Sequence, residues 1–263
     1  MGSGLEGLEG RVALVTGAAR ERSIGRGIAL ALAERGADVA VNDLAHEDEA
    51  SRRVGELEAL GRRSVFIRAD VADPHECERL VAETVTRLGR LDIFCANAGV
   101  ADWQELVEVT PEALRRIVGV NLHGCFFGCR AAAAQMRRQC TGGRIVVTSS
   151  VNAVMPFPKL GIYGATKHAV AHLVGVMARE WAPDAITVNH VAPGWVDSNI
   201  NDRSPDFATE ALRAVARAGI PLGHRPSEPR EIGEAVAYFS LEGAAHTTGA
   251  FLRVDGGSVI GKY

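Results

Sequence analysis

No run of five basic residues occurs in this 263-residue chain, and its formal net charge is −3. A nucleic-acid-binding protein carries the opposite, a clustered basic face, so no nucleic-acid partner is expected. Arg62-Arg63 and Arg137-Arg138 are short pairs expected at helix ends, where cations complement the helix dipole. No apolar run approaches the roughly 18 residues of a membrane span, so no membrane association is expected. Met1–Gly7 reads as a flexible lead and not as a signal peptide. Cysteine is scarce and odd in number, five in all, which points to reduced thiols in a cytoplasmic protein. Cys125 and Cys129 lack the further Cys or His pair of a zinc set, so no metal is expected and both read as core. With 29 Gly and 10 Pro, the chain is neither collagen-like nor of low complexity.

Hydrophobic residues at 47% and charged residues at 23% describe a globular chain that can bury one large core. Short apolar runs alternate with helical patterns. The runs are Val12–Val15, Val39–Val41, Val65–Ile67, Ile93–Cys95, Ile145–Val147, Ile186–Val188 and Phe251–Val254. Helices are expected near 25–35, 46–60, 75–88, 111–138, 161–181 and 228–240. Asp73-Pro74 and Thr110-Pro111 each set a capping side chain before Pro in the first turn. This rhythm predicts an α/β fold, a doubly wound parallel sheet of about seven strands covered by helices on both faces. No linker or repeat divides it, so residues 1–263 are expected to form a single domain. Residues 194–227, with a short helix near 206–218, leave the rhythm and are expected to act as a substrate lid that orders over bound ligands.

The first strand runs into Thr16-Gly17-Ala18-Ala19-Arg20-Glu21-Arg22-Ser23-Ile24-Gly25, which opens a helix. Small residues let backbone approach a ligand, and free amides at a helix start attract anions, as a dinucleotide site requires. Asp43 ends the second strand 18 residues past Gly25, near the offset of a ribose-binding acid; the alternative is a cap for the next helix.

Eight stretches in order resemble the short-chain dehydrogenase/reductase family, from Leu8 to about Gly257. They are the Gly loop, Asp70-Val71, Asn97-Ala98-Gly99, Asn121, Ser149-Ser150, Tyr163-Gly164-Ala165-Thr166-Lys167, Pro193–Ser198 and Val254–Gly257. The resemblance implies a Rossmann-type fold and hydride exchange with NAD or NADP. It implies a cofactor site of Gly17, Arg20, Ser23, Ile24, Asp43, Asp70, Val71, Asn97, Ala98, Gly99, Tyr163, Lys167, Pro193, Gly194, Val196 and Ser198. The implied catalytic set is Asn121, Ser150, Tyr163 and Lys167, with Asn121 anchoring a water that links Lys167 to solvent. Ser150, thirteen residues before Tyr163, matches the family's catalytic Ser where Ser149 does not.

The residues themselves support that chemistry. Tyr163 and Lys167 stand at i and i+4 on one helix face. Bringing a phenol from a pKa near 10 to 7 takes about 4 kcal/mol. A lysine ammonium and a positive nicotinamide both favour the phenolate.

The loop departs from the common family form. It is two residues longer, with Ser23 at the middle Gly position, and so resembles the loop of enoyl reductases. Those enzymes place six residues between Tyr and Lys, and the corresponding position here is Leu160. The leading expectation is an enzyme that interconverts an alcohol and its carbonyl or lactone. Ser149 to Pro158 resembles bacterial glucose 1-dehydrogenases, which suggests a small-molecule sugar or polyol substrate held by Ser150, Asn152, Lys159, Tyr163 and Trp195. A 3-oxoacyl carrier-protein reductase is the alternative, followed by an enoyl reductase and a non-catalytic nucleotide sensor. Asp43 without an adjacent Arg favours NAD, while Arg20 and Arg22 favour NADP; Glu21 offers these arginines a local partner. Small residues at Gly124, Gly128 and Ala131–Ala134 suggest close helix pairing in a homotetramer.

Overall fold

A computed structural model describes residues 7–202 and 209–260. Seven strands form one parallel sheet: β1 Val12–Thr16, β2 Asp38–Asp43, β3 Ser64–Arg68, β4 Ile93–Ala96, β5 Gly143–Thr148, β6 Ile186–Pro193 and β7 Phe251–Val254. Their order is β3-β2-β1-β4-β5-β6-β7. The helices are α1 Ile24–Glu34, α2 Glu47–Ala59, α3 Pro74–Leu88, α4 Pro111–Val118, α5 Cys125–Gln139, α6 Gly161–Trp181, α7 Glu210–Ala218 and α8 Pro229–Ser240. Every expected apolar run is present as a strand, and the expected helices are present within a few residues, except that the one near 111–138 is divided as described below. The helix near 206–218 is a further exception in part, because residues 203–208, with Pro205, lie outside the described residues.

The strands are apolar on both faces because both are covered. Val12 and Leu14 pack towards α3, α5 and α6, while Ala13 and Val15 pack towards α1 and α8. The two expected caps are in place: Asp73 accepts from His75 N, and Thr110 from Ala113 N. The chain order reverses between β1 and β4, and a doubly wound sheet opens a crevice at the C-terminal strand ends there.

Two expectations need correction, the unbroken helix near 111–138 and the use made of the small residues on it. The helix expected near 111–138 is broken by a π-helical turn at Gly119–Gly124, which separates α4 from α5. Among the described residues, Pro111–Gln139 is long and apolar enough, by length and composition alone, to cross a membrane. Half of that apolar window is buried within the fold. The small residues of α5 serve the chain's own core: a Cβ on Gly124 would stand 2.9 Å from Val71, and one on Gly128 2.8 Å from Phe94. Ala131–Ala133 are buried as well, and only Ala134 is exposed.

Candidate active site

β1 ends at Thr16, and Gly17 turns the chain with φ +65°, in the left-handed region that favours glycine. A side chain there would also meet the Ala98 backbone at 2.8 Å. The loop therefore lies directly on the turn after β4. Ser23 replaces glycine without strain, since its φ is −112°. Its hydroxyl accepts from Arg26 N at 3.0 Å, which caps α1, and donates to the Arg20 carbonyl at 2.8 Å, which closes the longer loop.

The three charged residues of the loop go separate ways. Arg20 lines the cavity described below and makes no ion pair among the described residues. Arg22 reaches Asp197 at 2.7 Å and Asp202 at 3.3 Å, which raises its pKa. Glu21 pairs with neither, contrary to expectation; Arg53 holds it at 2.8 Å and Arg26 at 3.3 Å. Adjacent side chains along the longer loop point apart, whereas α2 and α1 present guanidinium groups from outside it.

Asp43 stands at the tip of β2 against this loop. Its carboxylate accepts from Ala19 N at 3.3 Å and Leu44 N at 2.9 Å. Burial nevertheless raises its pKa, with those hydrogen bonds opposing. Asp70 spends one oxygen on Ala72 N at 2.9 Å, shaping the turn after β3.

A chain of hydrogen bonds joins the tips of β1, β4 and β5. Thr16 Oγ1 accepts from Asn97 N and Ala98 N, each at 3.0 Å. The Asn97 carboxamide donates to Thr16 O at 2.9 Å and accepts from Thr148 Oγ1 at 3.1 Å. The Thr148 carbonyl in turn takes a 2.8 Å hydrogen bond from Lys167 Nζ. The sequence reading missed Thr148, although its place at the end of β5, just before Ser149-Ser150, was the available signal.

Lys167 is 4% exposed, and burial lowers its pKa to about 8. Its Nζ lies 5.6 Å from the centre of the Tyr163 ring. Ser150 is buried, and its Oγ takes a 3.1 Å hydrogen bond from Asn152 N. The expected lowering of the Tyr163 pKa is not what the chain alone produces. Burial pushes the phenol above its ordinary value, and the Ser150 hydroxyl draws it part of the way back. Asn121 is buried on the π-helical turn. Its side chain is committed to Val100, accepting at 2.8 Å and donating at 2.9 Å, and donates to Thr166 Oγ1 at 3.2 Å. The carboxamide is thus occupied by protein groups where a water anchor was expected.

These groups surround one cavity of about 960 Å³ at the C-terminal ends of the strands. Every expected site residue lines it except Asn121, which lies behind its wall. Buried oxygens of Ser149, Ser198, Asn152 and Asn199 line the same cavity without a hydrogen-bond partner among the described residues. A backbone cradle that admits no side chain, a carboxylate at its edge and unpartnered polar atoms are what a dinucleotide and a hydroxylated substrate require.

The chain matches the family model described as enoyl-(acyl carrier protein) reductase over residues 17–258. It is 37% identical to the L-rhamnose 1-dehydrogenase (NAD(P)(+)) of Sphingomonas sp. (strain SKA58), over 96% of this chain and 98% of the relative. It is 36% identical to the L-2,3-butanediol dehydrogenase of Corynebacterium glutamicum, over 94% and 98% of the two chains. The crystal structure of carveol dehydrogenase from Mycobacterium avium in complex with NAD superimposes with a TM-score of 0.90 at 29% identity, covering 96% of this chain and 99% of that one. With the glycine loop, the ordered strand-end motifs and these similarities along its length, the chain belongs to the short-chain dehydrogenase/reductase family, NAD(P)-dependent oxidoreductases acting on CH–OH groups.

Proposed function

We propose that this enzyme interconverts a sugar or polyol and its carbonyl or lactone with NAD, using Tyr163 as general acid/base. The observation that carries this reading is the meeting of Ser150, Tyr163 and Lys167 in the cavity that also holds the glycine loop and Asp43. Bound NAD would supply the hydride acceptor. In oxidation, Ser150 holds the substrate oxygen by a hydrogen bond and Tyr163 takes the hydroxyl proton. Lys167, charged below a pH of about 8, favours the phenolate against the burial that opposes it. With its carboxamide committed to Val100 and Thr166, Asn121 would serve the site by fixing the turn after β4 against α6.

Asp43 would accept hydrogen bonds from the adenine ribose and repel a 2′-phosphate, by roughly 1–4 kcal/mol for like charges about 4 Å apart. Arg22 is engaged by two aspartates, which leaves Arg20 as the loop cation that favours NADP. At the other end of the cavity, Asn152 and Asn199 offer polar contacts beside Trp195 and Phe157, an amphipathic lining suited to a hydroxylated ring. Residues 194–202 and α7 serve as the substrate wall in this reading. Enoyl reduction is disfavoured by Leu160, a buried aliphatic side chain where those enzymes carry their Tyr.

Two further features fit the proposal. Edge strand β7 exposes Phe251 and Leu252, and α8 exposes Tyr238, apolar surface that a homotetramer would cover. The five cysteines are unbridged, as a reducing cytoplasm requires. The test is cofactor reduction across a panel of sugars, polyols and sterols. Turnover of a sugar or polyol with NAD supports the reading, and turnover confined to sterols, or to reduction of an enoyl thioester, overturns it.

A further inference from the structure

The longer glycine loop is held from behind and in front by different means. Behind it, the Arg53 side chain is wholly buried and joins Glu21 to Glu56, while Arg26 spans the same two acids at 3.3 and 3.2 Å. The Glu49 carboxylate accepts from Glu21 N at 2.8 Å. The loop is thereby a fixed base. In front, the Arg22 guanidinium divides between Asp197 and Asp202, and its carbonyl accepts from Asn199 N at 2.9 Å. All three contacts fall on the six residues Asp197–Asp202. The same segment places Ser198, Asn199, Ile200 and Asn201 on the cavity wall. Its near end is fixed by Asp197 N donating to the Ser227 carbonyl at 2.9 Å.

We propose that Arg22 is a positioning residue, which straps Asp197–Asp202 onto the glycine loop and so sets the wall that Ser198 and Ile200 give to the cavity. This rests on the function proposed above, since it assigns that wall to bound cofactor and substrate. The two added loop residues are what carry Arg22 forward to meet the segment. Arginine suits the task because its planar fork serves two carboxylates at once, while lysine offers one point charge. Each ion pair is exposed and individually weak, but the pairs and the backbone hydrogen bond restrain one short stretch together.

The test compares wild type, Arg22→Ala, Arg22→Lys and the exchanged pair Arg22→Asp with Asp197→Arg. Hydrogen exchange at Asp197–Asp202 is measured on the protein alone, NADH affinity by fluorescence titration, and kcat and KM on the substrate found by the panel. Arg22→Ala should speed exchange at 197–202 and raise the NADH Kd and substrate KM by about five- to tenfold, with kcat within about threefold. Arg22→Lys should recover part of the loss, and the exchanged pair most of it. Unchanged exchange with a Kd within about twofold of wild type would overturn the strap, as would a fall in kcat at constant KM. If wild type itself failed to bind NADH, the proposed function would fall, while the exchange result would still decide whether Arg22 holds the segment.

Discussion

At one end of the cavity, Thr16, Asp43, Asn97 and Thr148 stand at or just past the tips of parallel strands packed on both faces. At the other end, α7 contributes Ala216 to the wall, yet no side chain of α7 is buried, and Val215 is 73% exposed. A side chain at a strand tip inherits its position from a sheet whose register is fixed along every neighbour. A side chain on α7 inherits its position from a capping hydrogen bond at Thr209 and a short amphipathic helix. The two ends can therefore change at different rates. The first is constrained by the whole core, the second mainly by what the substrate needs.

The largest effect that would test this division lies at the chemical centre. Tyr163→Phe should lower turnover by a factor of about 10²–10⁴ and leave the NADH Kd within about twofold. Steady-state kinetics showing near-full activity would remove Tyr163 from the mechanism.

The buried lysine gives the next effect, in the pH dependence of stability. Its pKa of about 8 lies below the ordinary 10.5, so between those values the unfolded chain holds more protons than the folded one. The contribution of Lys167 to stability is thus least below pH 8 and rises towards pH 10.5. Against a Lys167→Met variant, wild type should gain about 3 kcal/mol between pH 7 and 10.5 in urea unfolding. Parallel stability profiles would mean that the ammonium is not desolvated.

Arg53→Met should destabilise the fold by about 2–3 kcal/mol, less than for a fully enclosed ion pair because Glu21 and Glu56 can turn to water. Calorimetry showing no loss would mean that the rear of the glycine loop is not fixed by charge. Asp43→Ala should move the ratio of kcat/KM for NAD over NADP towards NADP by about tenfold, or about 1.4 kcal/mol. A wild-type preference of tenfold for NADP would instead assign the ribose end to Arg20. The smallest effect belongs to α7: Val215→Ser should change stability by no more than about 0.5 kcal/mol, and a larger loss would break the contrast drawn above.

Much of this was legible in the sequence because its signals are local. Apolar runs of four residues, Asp and Thr caps before Pro, and the i,i+4 spacing of Tyr163 and Lys167 each act within a turn or two of chain. The π-helical turn escaped because Gly119–Gly124 keeps an apolar pattern that a regular helix would also show. The partner of Glu21 escaped because it comes from Arg53 on another element, and nothing in the loop announces that guanidinium. The upward shift of Tyr163 in the chain alone escaped for a third reason. Proximity to a cation can be inferred from spacing, but the competing loss of solvent depends on how elements close around the phenol.

The run of hydrogen bonds from Thr16 through Asn97 and Thr148 to Lys167 makes catalytic competence a property of strand alignment. A slip of one residue in β1, β4 or β5 would turn the linking side chain to the opposite face of the sheet and break the run. No half-assembled sheet can hold the ammonium where the proposed mechanism needs it. Activity in such a protein requires the sheet to be assembled, and in rising urea it should vanish no later than the sheet does.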